Sequence, residues 1–562
     1  MVKFQIQIKK SIFINKSKTI AVRVNANTKT GIGHLKRCLR LAEKLKILGY
    51  ETIFILDKID SKLIIDFGDF KYFQLYTDGA NFKNELADAV LFLELIEDYR
   101  PIAVIVDDYR ISKDWEILIK KEFPLFVLDD ENNRFHNCDI LIDSNWRGDE
   151  TYDRYLGLTP KNTIRLLGPK YIILSDTQDA NITTSLIKTR INDPSLVISF
   201  GGGGDMRELL RLVKSIFENR HNKFNIPIRV IIGPYAINSE YILAYASLNK
   251  QVIALKGLDN LDNVLSKSSL YIGAAGTTLY EALTCKLPCI TFSLADNQKY
   301  IHKYLEDIGH YFHLNDYYKL SLDSLAEFIW ISVNNIERVT SLYLKNPKVQ
   351  IDRNGAARIA DSIDAFLKSN SKEINVAPSQ FNLDLHVKNN EESSEYSFVS
   401  IDDTFINKYL EVRYLSKNDF AITKPSKITL IEHYKWWFNN NRSIFVLQKG
   451  ALPCVYCWHE VKDDPFKIII GGFFAANPDS TGLEIIKAVF EHHKLTDLAY
   501  PNIAWYAFTS NKNVYADFVN KRVGFKVIKG RSQYLPIFGR VFKNIDFSNY
   551  ILYIKKYEKN NF

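Results

Sequence analysis

Twice in this chain a short apolar run ends in a glycine-rich loop that opens into a helix. Ile20 to Val24 leads into Thr30-Gly31-Ile32-Gly33-His34, and Leu196 to Phe200 leads into Gly201-Gly202-Gly203-Gly204-Asp205. After the first loop, Leu35, Cys38, Leu39, Ala42, Leu45 and Leu48 fall on one helical face, and Gly49 stops the helix. Further continuous apolar runs follow at Thr52–Leu56, Ala103–Val106, Leu125–Leu128 and Ile140–Ile142. After the second loop they recur at Ile228–Ile232, Val252–Leu255, Leu270–Ile272 and Cys289–Phe292. Runs without a polar face, separated by helices, predict parallel sheets covered on both sides. Two such halves predict two Rossmann-like domains with a cleft between them.

The chain has 562 residues, more than these two halves need, and roughly 150 residues per domain sets a prior of three to four units. The expected divisions are 1–180, a first Rossmann-like domain, and 181–367, a second one ending in a helix over Asn354–Leu367. A polar linker follows at 368–395, then a third mixed α/β unit at 396–562 with antiparallel strands such as Ser443–Gln448 and Phe466–Ile470. With 46% hydrophobic residues, a disordered chain is excluded. The net charge of +8 comes without a dense Lys/Arg block, which argues against nucleic acid and suits a small anionic substrate. No apolar run nears the ~20 residues of a membrane helix. The start, Met1–Lys10, alternates like a strand and lacks a signal core. Six scattered cysteines fit reduced thiols, so the expected location is the cytoplasm.

In an open α/β sheet, the Gly31–His34 loop lies at the carboxyl edge, where ligands bind. Its glycines allow close backbone approach, and the helix start offers N–H groups and a positive dipole end to phosphate. A histidine there can exchange protons near neutral pH, though a solvated capping histidine would look the same. The loop lacks the third glycine of a dinucleotide fingerprint, which disfavours a nicotinamide enzyme. A second loop of this kind, Gly273-Ala274-Ala275-Gly276-Thr277-Thr278-Leu279-Tyr280-Glu281, carries a carboxylate one turn inside its helix. Glu281 can accept ribose hydroxyls, or it can simply favour the helix start electrostatically.

Gly31-Ile32-Gly33-His34 with Arg37-Cys38, Gly276 to Glu281, and Ala295-Asp296-Asn297-Gln298 resemble the nucleotide-sugar hydrolases of the pseudaminic-acid pathway and related spore-coat polysaccharide proteins. Val106-Asp107-Asp108-Tyr109, Leu128-Asp129-Asp130, Asp143-Ser144-Asn145, Gly168-Pro169-Lys170-Tyr171 and Ser199-Phe200-Gly201-Gly202-Gly203 match in order, so the resemblance covers Thr19 to Leu367. It implies a glycosyltransferase-B-like pair of domains. The implied reaction is metal-free hydrolysis of UDP-2,4-diacetamido-2,4,6-trideoxy-altrose, or a close analogue, in nonulosonic-acid synthesis. His34 would be the proton-transfer residue and Asn297 would position sugar or water. Glu281 would hold the ribose, and Gly276, Thr277 and Thr278 the pyrophosphate. Gly31, Gly33, Arg37, Asp108, Tyr109, Asn145, Gly202, Asp296 and Gln298 complete the implied substrate-binding set. No cofactor is implied for hydrolysis, and other enzymes of the pathway are the implied partners. Asn25, Asp296, Asp108 and Ser175 depart from the family's usual residues, on the sugar side, and bear on which sugar is bound.

In the third unit, Asn513 to Phe525 resembles the closing motif of GNAT-type N-acetyltransferases. The resemblance implies a central strand at Ile468–Ala475, a pyrophosphate loop at Asn477–Gly482, a helix over Leu483–His492, and acetyl-CoA as cofactor, with Gly482 and Asn513 in its site. Such a unit would acetylate the amino-sugar precursor, or serve as an inert partner-binding domain. Only Gly482 of the loop's small residues remains, and Asn520 stands where a general-acid Tyr is common. Cys454-x-x-Cys457, in an expected strand-turn-strand stretch, has no second pair and reads as ordinary thiols. Asp107-Asp108 and Asp129-Asp130 at strand ends read as substrate hydrogen-bonding or solvated groups. Adjacent His492 and His493 diverge by ~100° on a helix, which speaks against one shared metal. Two rival readings stand beside hydrolysis: a glycosyltransferase using a UDP-sugar donor, and a catalytically inactive UDP-sugar-binding protein.

Overall fold

The structure is a computed structural model that describes residues 18–26, 33–58, 66–76, 81–175, 182–218, 226–258, 260–294, 302–370, 395–415, 428–463, 467–477, 479–542 and 545–556. The described residues divide into two compact units, one drawn from Met1–Ala326 and Ile336–Ala377, the other from Glu327–Asn335 and Pro378–Phe562. The strand expected over Met1–Lys10 lies outside the described residues.

The first unit holds two parallel sheets. One comprises β1 (Lys18–Val24), β2 (Tyr50–Leu56), β3 (Lys71–Gln74), β4 (Ala103–Asp107), β5 (Leu125–Leu128), β6 (Ile140–Asp143) and β7 (Ile164–Leu167), in the order β3-β2-β1-β4-β5-β6-β7. The other comprises β8 (Leu196–Ser199), β9 (Ile228–Ile232), β10 (Val252–Lys256), β11 (Leu270–Ala274), β12 (Cys289–Ser293) and β13 (Phe312–Asp316), in the order β10-β9-β8-β11-β12-β13. Each sheet starts in its middle, grows one way, then jumps back and grows the other way. The switch points lie between β1 and β4 and between β8 and β11, and there the carboxyl ends leave a crevice.

The helix Gly33–Ile47 buries Leu35, Cys38, Leu41, Ala42 and Leu45 against one face of the first sheet. Each fully buried leucine contributes about 1.5–3 kcal/mol. Leu41 takes the place expected for Leu48, which lies past the helix end and is 37% exposed. Gly49, at φ +87°, turns the chain there. The helix Gly355–Asn370 returns to this same core through Ala356, Ile359, Ala360 and Ile363, so the chain's second half closes against its first sheet. The expected helix over Asn354–Leu367 is thus one residue late at its start and three longer at its end.

The second unit is a mixed sheet of β14 (Tyr396–Ser400), β15 (Ser443–Lys449), β16 (Leu452–Lys462), β17 (Ile468–Ala475), β18 (Ala504–Ser510), β19 (Lys526–Val527) and β20 (Tyr550–Lys555), in the order β14-β15-β16-β17-β18-β20-β19. β17 and β18 pair in parallel only over Ile468–Ile470 and Ala504–Tyr506, whereas β18 goes on pairing with β20 up to Ser510. Cys454 and Cys457 lie on the unbroken strand β16, which corrects the strand-turn-strand expectation. All six cysteines are unpaired and buried. Among the described residues no helix is long and apolar enough to cross a membrane.

Candidate active site

The end of β4 and the helix that follows β1 flank the first switch point, and Asp107 and His34 meet there. Asp107 is the last residue of β4 and fully buried; His34 is the second residue of its helix. His34 Nδ1 lies 2.6 Å from Asp107 Oδ1. Arg37, one turn on, clamps the same carboxylate with Nε to Oδ2 and Nη2 to Oδ1, both 2.6 Å. Burial pushes the Asp107 pKa up, but the charges of Arg37 and His34 and their hydrogen bonds outweigh it. The carboxyl is held well below the usual range. An ionised carboxylate only accepts hydrogen bonds, so Nδ1 carries the proton and donates it, leaving Nε2 with its lone pair. Arg37 Nη2, 3.1 Å from Nδ1, faces another donor and makes no hydrogen bond with it. The imidazole is 16% exposed, against 0% for its carboxylate. This is a carboxylate-oriented base at a ligand-binding edge.

A second layer holds this pair. Arg37 Nη1 donates to Asp130 Oδ2 at 3.0 Å, and the Tyr109 hydroxyl donates to Asp130 Oδ1. The Tyr109 ring meets His34 edge-on with centroids 4.6 Å apart. Asn145 donates from Nδ2 to the Asp130 carbonyl at 3.3 Å, and its N–H donates to Asp143 Oδ1 at 2.9 Å. Burial lifts the Asp143 carboxyl to about 6 against the pull of Arg154. The Cys38 thiol donates to Asp107 Oδ2 at 3.4 Å, and burial, then Asp107, pushes its pKa up, so it is no nucleophile.

Other residues expected in the site have contacts of their own or lie outside the described residues. Asp108 pairs with Arg110 Nη2 at 2.5 Å, in a network with Asp57, Arg23 and Asp88. Of the strand-end acidic pairs, Asp107, Asp108 and Asp129 are buried in ion pairs, and Asp130 is 26% exposed. Gly31, Asp296, Asn297 and Gln298 lie outside the described residues. Gly33 opens its helix.

At the second switch point, Gly201 and Gly204 have φ of +87° and +100°, which a side chain would resist. A Cβ on Gly273 would lie 2.1 Å from the Ser199 carbonyl, so β8 and β11 approach as only glycine allows. Gly202 lies in the loop after β8. Gly276 caps the helix Thr277–Thr284 without a side-chain bond, and Thr277 is exposed beside it. Glu281 is buried, and its Oε1 accepts from Arg40 Nη2 at 3.3 Å. Burial lifts its pKa against the pull of Arg40. Arg40 belongs to the helix that carries His34, so this contact brings the two carboxyl edges of the first unit together.

In the second unit, Gly482 begins the helix Gly482–Ala499, longer than the expected Leu483–His492. Thr481 and Glu484 form a reciprocal capping box, and Tyr396 also donates to Glu484, at 2.8 Å. Tyr515 donates to the Gly482 carbonyl at 3.1 Å. Asn513 caps the helix Val514–Arg522 by accepting from Ala516 N–H at 3.0 Å.

Sequence reasoning named Asp107 and Asp130 only as members of acidic pairs; it missed Asp107 as the partner of His34, and it missed Arg40. The signal was an Asp ending the strand that pairs with β1, since that position must face the loop after β1.

No protein-family model matches the chain. Over 340 residues it is 25% identical to an uncharacterized protein of Methanocaldococcus jannaschii; the match spans 59% of this chain and 65% of that protein, less than two thirds of its length. Among solved structures, it is similar to MurG of Acinetobacter baumannii at 13% identity, covering 62% of this chain and 99% of that one, with a TM-score of 0.41. It is also similar to the UDP-GlcNAc 2-epimerase of Neisseria meningitidis bound to UDP-GlcNAc, at 12% identity, covering 62% and 100%, with a TM-score of 0.41. The two Rossmann-like sheets stand on their own strand order.

Proposed function

We propose that the first unit is a glycosyltransferase-B-like UDP-sugar hydrolase, which releases UDP and free sugar from UDP-2,4-diacetamido-2,4,6-trideoxy-altrose or a close analogue. The observation that carries this reading is the His34–Asp107 pair at one switch point, brought by Arg40 and Glu281 toward a glycine-lined edge at the other. His34 Nε2 takes a proton from the attacking water, and Asp107 steadies the imidazolium that forms. Arg37 balances the carboxylate and fixes its plane. The pyrophosphate sits at the N–H groups opening the Thr277 helix, where the dipole favours negative charge. Asn297 positions sugar or water, Asn145 and Tyr109 border the sugar, and Glu281 reaches the ribose beside Arg40.

The second unit is proposed to be a GNAT-like acetyltransferase for the amino-sugar precursor. Its support is the β17–β18 pair that stops after three residues, which leaves room between two parallel strands. In this reading acetyl-CoA must displace the Glu484 carboxylate, because that side chain already holds the helix start. Phosphorus NMR of the purified protein with the UDP-sugar in metal-free buffer tests the first reading: the diphosphate ester signal must give way to that of UDP. An unchanged spectrum rejects this substrate.

A further inference from the structure

The amino edge of the second sheet, opposite the candidate active site, carries an unbalanced group of cations. A cavity of about 350 Å3 opens there, lined by Arg190, Ser195, Arg229 and Lys267 with Thr189 and Asp193. Arg190 is 3% exposed. Its Nε donates to the Ser266 carbonyl at 2.7 Å and its Nη1 to the Cys285 carbonyl at 3.0 Å, at the ends of the helices Asp262–Ser266 and Thr277–Thr284. Its Nη2 has no partner among the described residues. The other buried arginines each face a carboxylate: Arg23 has Asp88 at 2.7 Å and Arg353 has Asp262 at 2.6 Å. Arg190 has none, and burial pushes its pKa down. Arg229 Nη1 donates to Ser195 Oγ at 2.6 Å, which adds a second guanidinium to the wall. Three cations face one carboxylate, Asp193, so the lining has an excess positive charge.

We propose that this cavity is a binding site for a phosphate dianion, either inorganic phosphate or the phosphoryl group of a small monoester. A buried guanidinium without a counter-ion costs folding energy that a bound anion would offset. Arginine and lysine donors around one polar hydroxyl suit phosphate oxygens, and the volume is at the small end of ligand sites. The site lies at the end of the sheet away from the carboxyl edge, so it stands whether or not the hydrolase reading holds.

Titration calorimetry of the whole protein in chloride buffer, with inorganic phosphate and with glycerol 3-phosphate, tests this. The comparison is an Arg229→Gln/Lys267→Gln double variant, which keeps Arg190 and its two helix ends intact. Wild type is expected to bind at least one probe saturably, with affinity about tenfold weaker for each charge removed. Phosphate should also raise the melting temperature of wild type and leave that of the double variant unmoved. Tighter binding of the monoester assigns the site to an ester, and equal binding to free phosphate. No saturable binding of either probe, or equal binding by the double variant, overturns the proposal.

Discussion

One buried histidine of the first unit and three of the second are held in opposite ways. In the first, His136 is buried with Nδ1 2.7 Å from Glu116 Oε1 and Nε2 3.5 Å from Asp129 Oδ2. Burial alone would lower its pKa, but Asp129 and Glu116 outweigh burial and lift it from 6.5 to about 9. In the second unit, His459 Nδ1 lies 3.0 Å from His492 Nε2, and His493 packs 4.2 Å from Trp505. Among the described residues no carboxylate pairs with these rings, and burial lowers His459 to about 4, His492 to about 3 and His493 well below 6.5. The same side chain at similar depth is thus a cation in one unit and a neutral ring in the other. Its partner decides, not its depth. His34 shares with His136 a carboxylate partner at Nδ1, Asp107, which fixes its tautomer.

The largest effect is expected where the carboxylate-partnered histidine does chemistry. His34→Ala should cut UDP release by about 10²–10⁴-fold, the usual worth of a positioned base, with the melting temperature nearly unchanged. Chromatographic UDP assay and a thermal melt check both. Next comes Glu116→Gln, which removes one partner of a buried cation and should cost the first unit about 3 kcal/mol in urea denaturation at pH 7. The His136 ring, followed by NMR, should then titrate at a lower pH.

Acid sharpens the comparison. Lowered folded pKa values mean that the unfolded chain takes up protons first. The contribution of His459 and His492 is therefore present above about 6.5 and lost as pH falls toward about 4 and 3. The second unit should lose about 1.4 kcal/mol per pH unit for each of these histidines. His136 runs the other way: its stabilisation is full below 6.5 and lost as pH rises through about 9. Hydrogen exchange resolved to β16 and to β5 should show the second unit loosening at acid pH and the first at alkaline pH. Parallel loosening of both would break the comparison. The smallest effect is at the capping box: Thr481→Ala should cost about 1 kcal/mol of second-unit stability. Under the acetyltransferase reading, Glu484→Gln should tighten acetyl-CoA binding in calorimetry, because a competing carboxylate charge is gone.

Much of the fold was legible because β1, β2, β4, β5, β6, β8, β9, β11 and β12 are continuous apolar runs with both faces buried. β3 (KYFQ), β7 (IRLL) and β13 (FHLND) were not, because edge strands carry polar residues and lose the pattern. His34 was legible from its place after a glycine loop. Asp107 was not, since Asp107 and Asp108 are equivalent in sequence and only the register Val24↔Asp107 decides which one faces the helix. Arg40 and Glu281 are 241 residues apart, and local pattern cannot bring them together.

The most direct test of the proposed reaction is the rate of UDP release by Asp107→Asn, beside wild type and His34→Ala, without metal. An amide keeps the size of the carboxylate but not its charge, so Nδ1 loses its fixed proton and the imidazolium its stabiliser. The predicted result is release by wild type, with Asp107→Asn within about tenfold of His34→Ala while the folded protein still binds UDP. Release by Asp107→Asn at the wild-type rate, or none by wild type, would contradict the account.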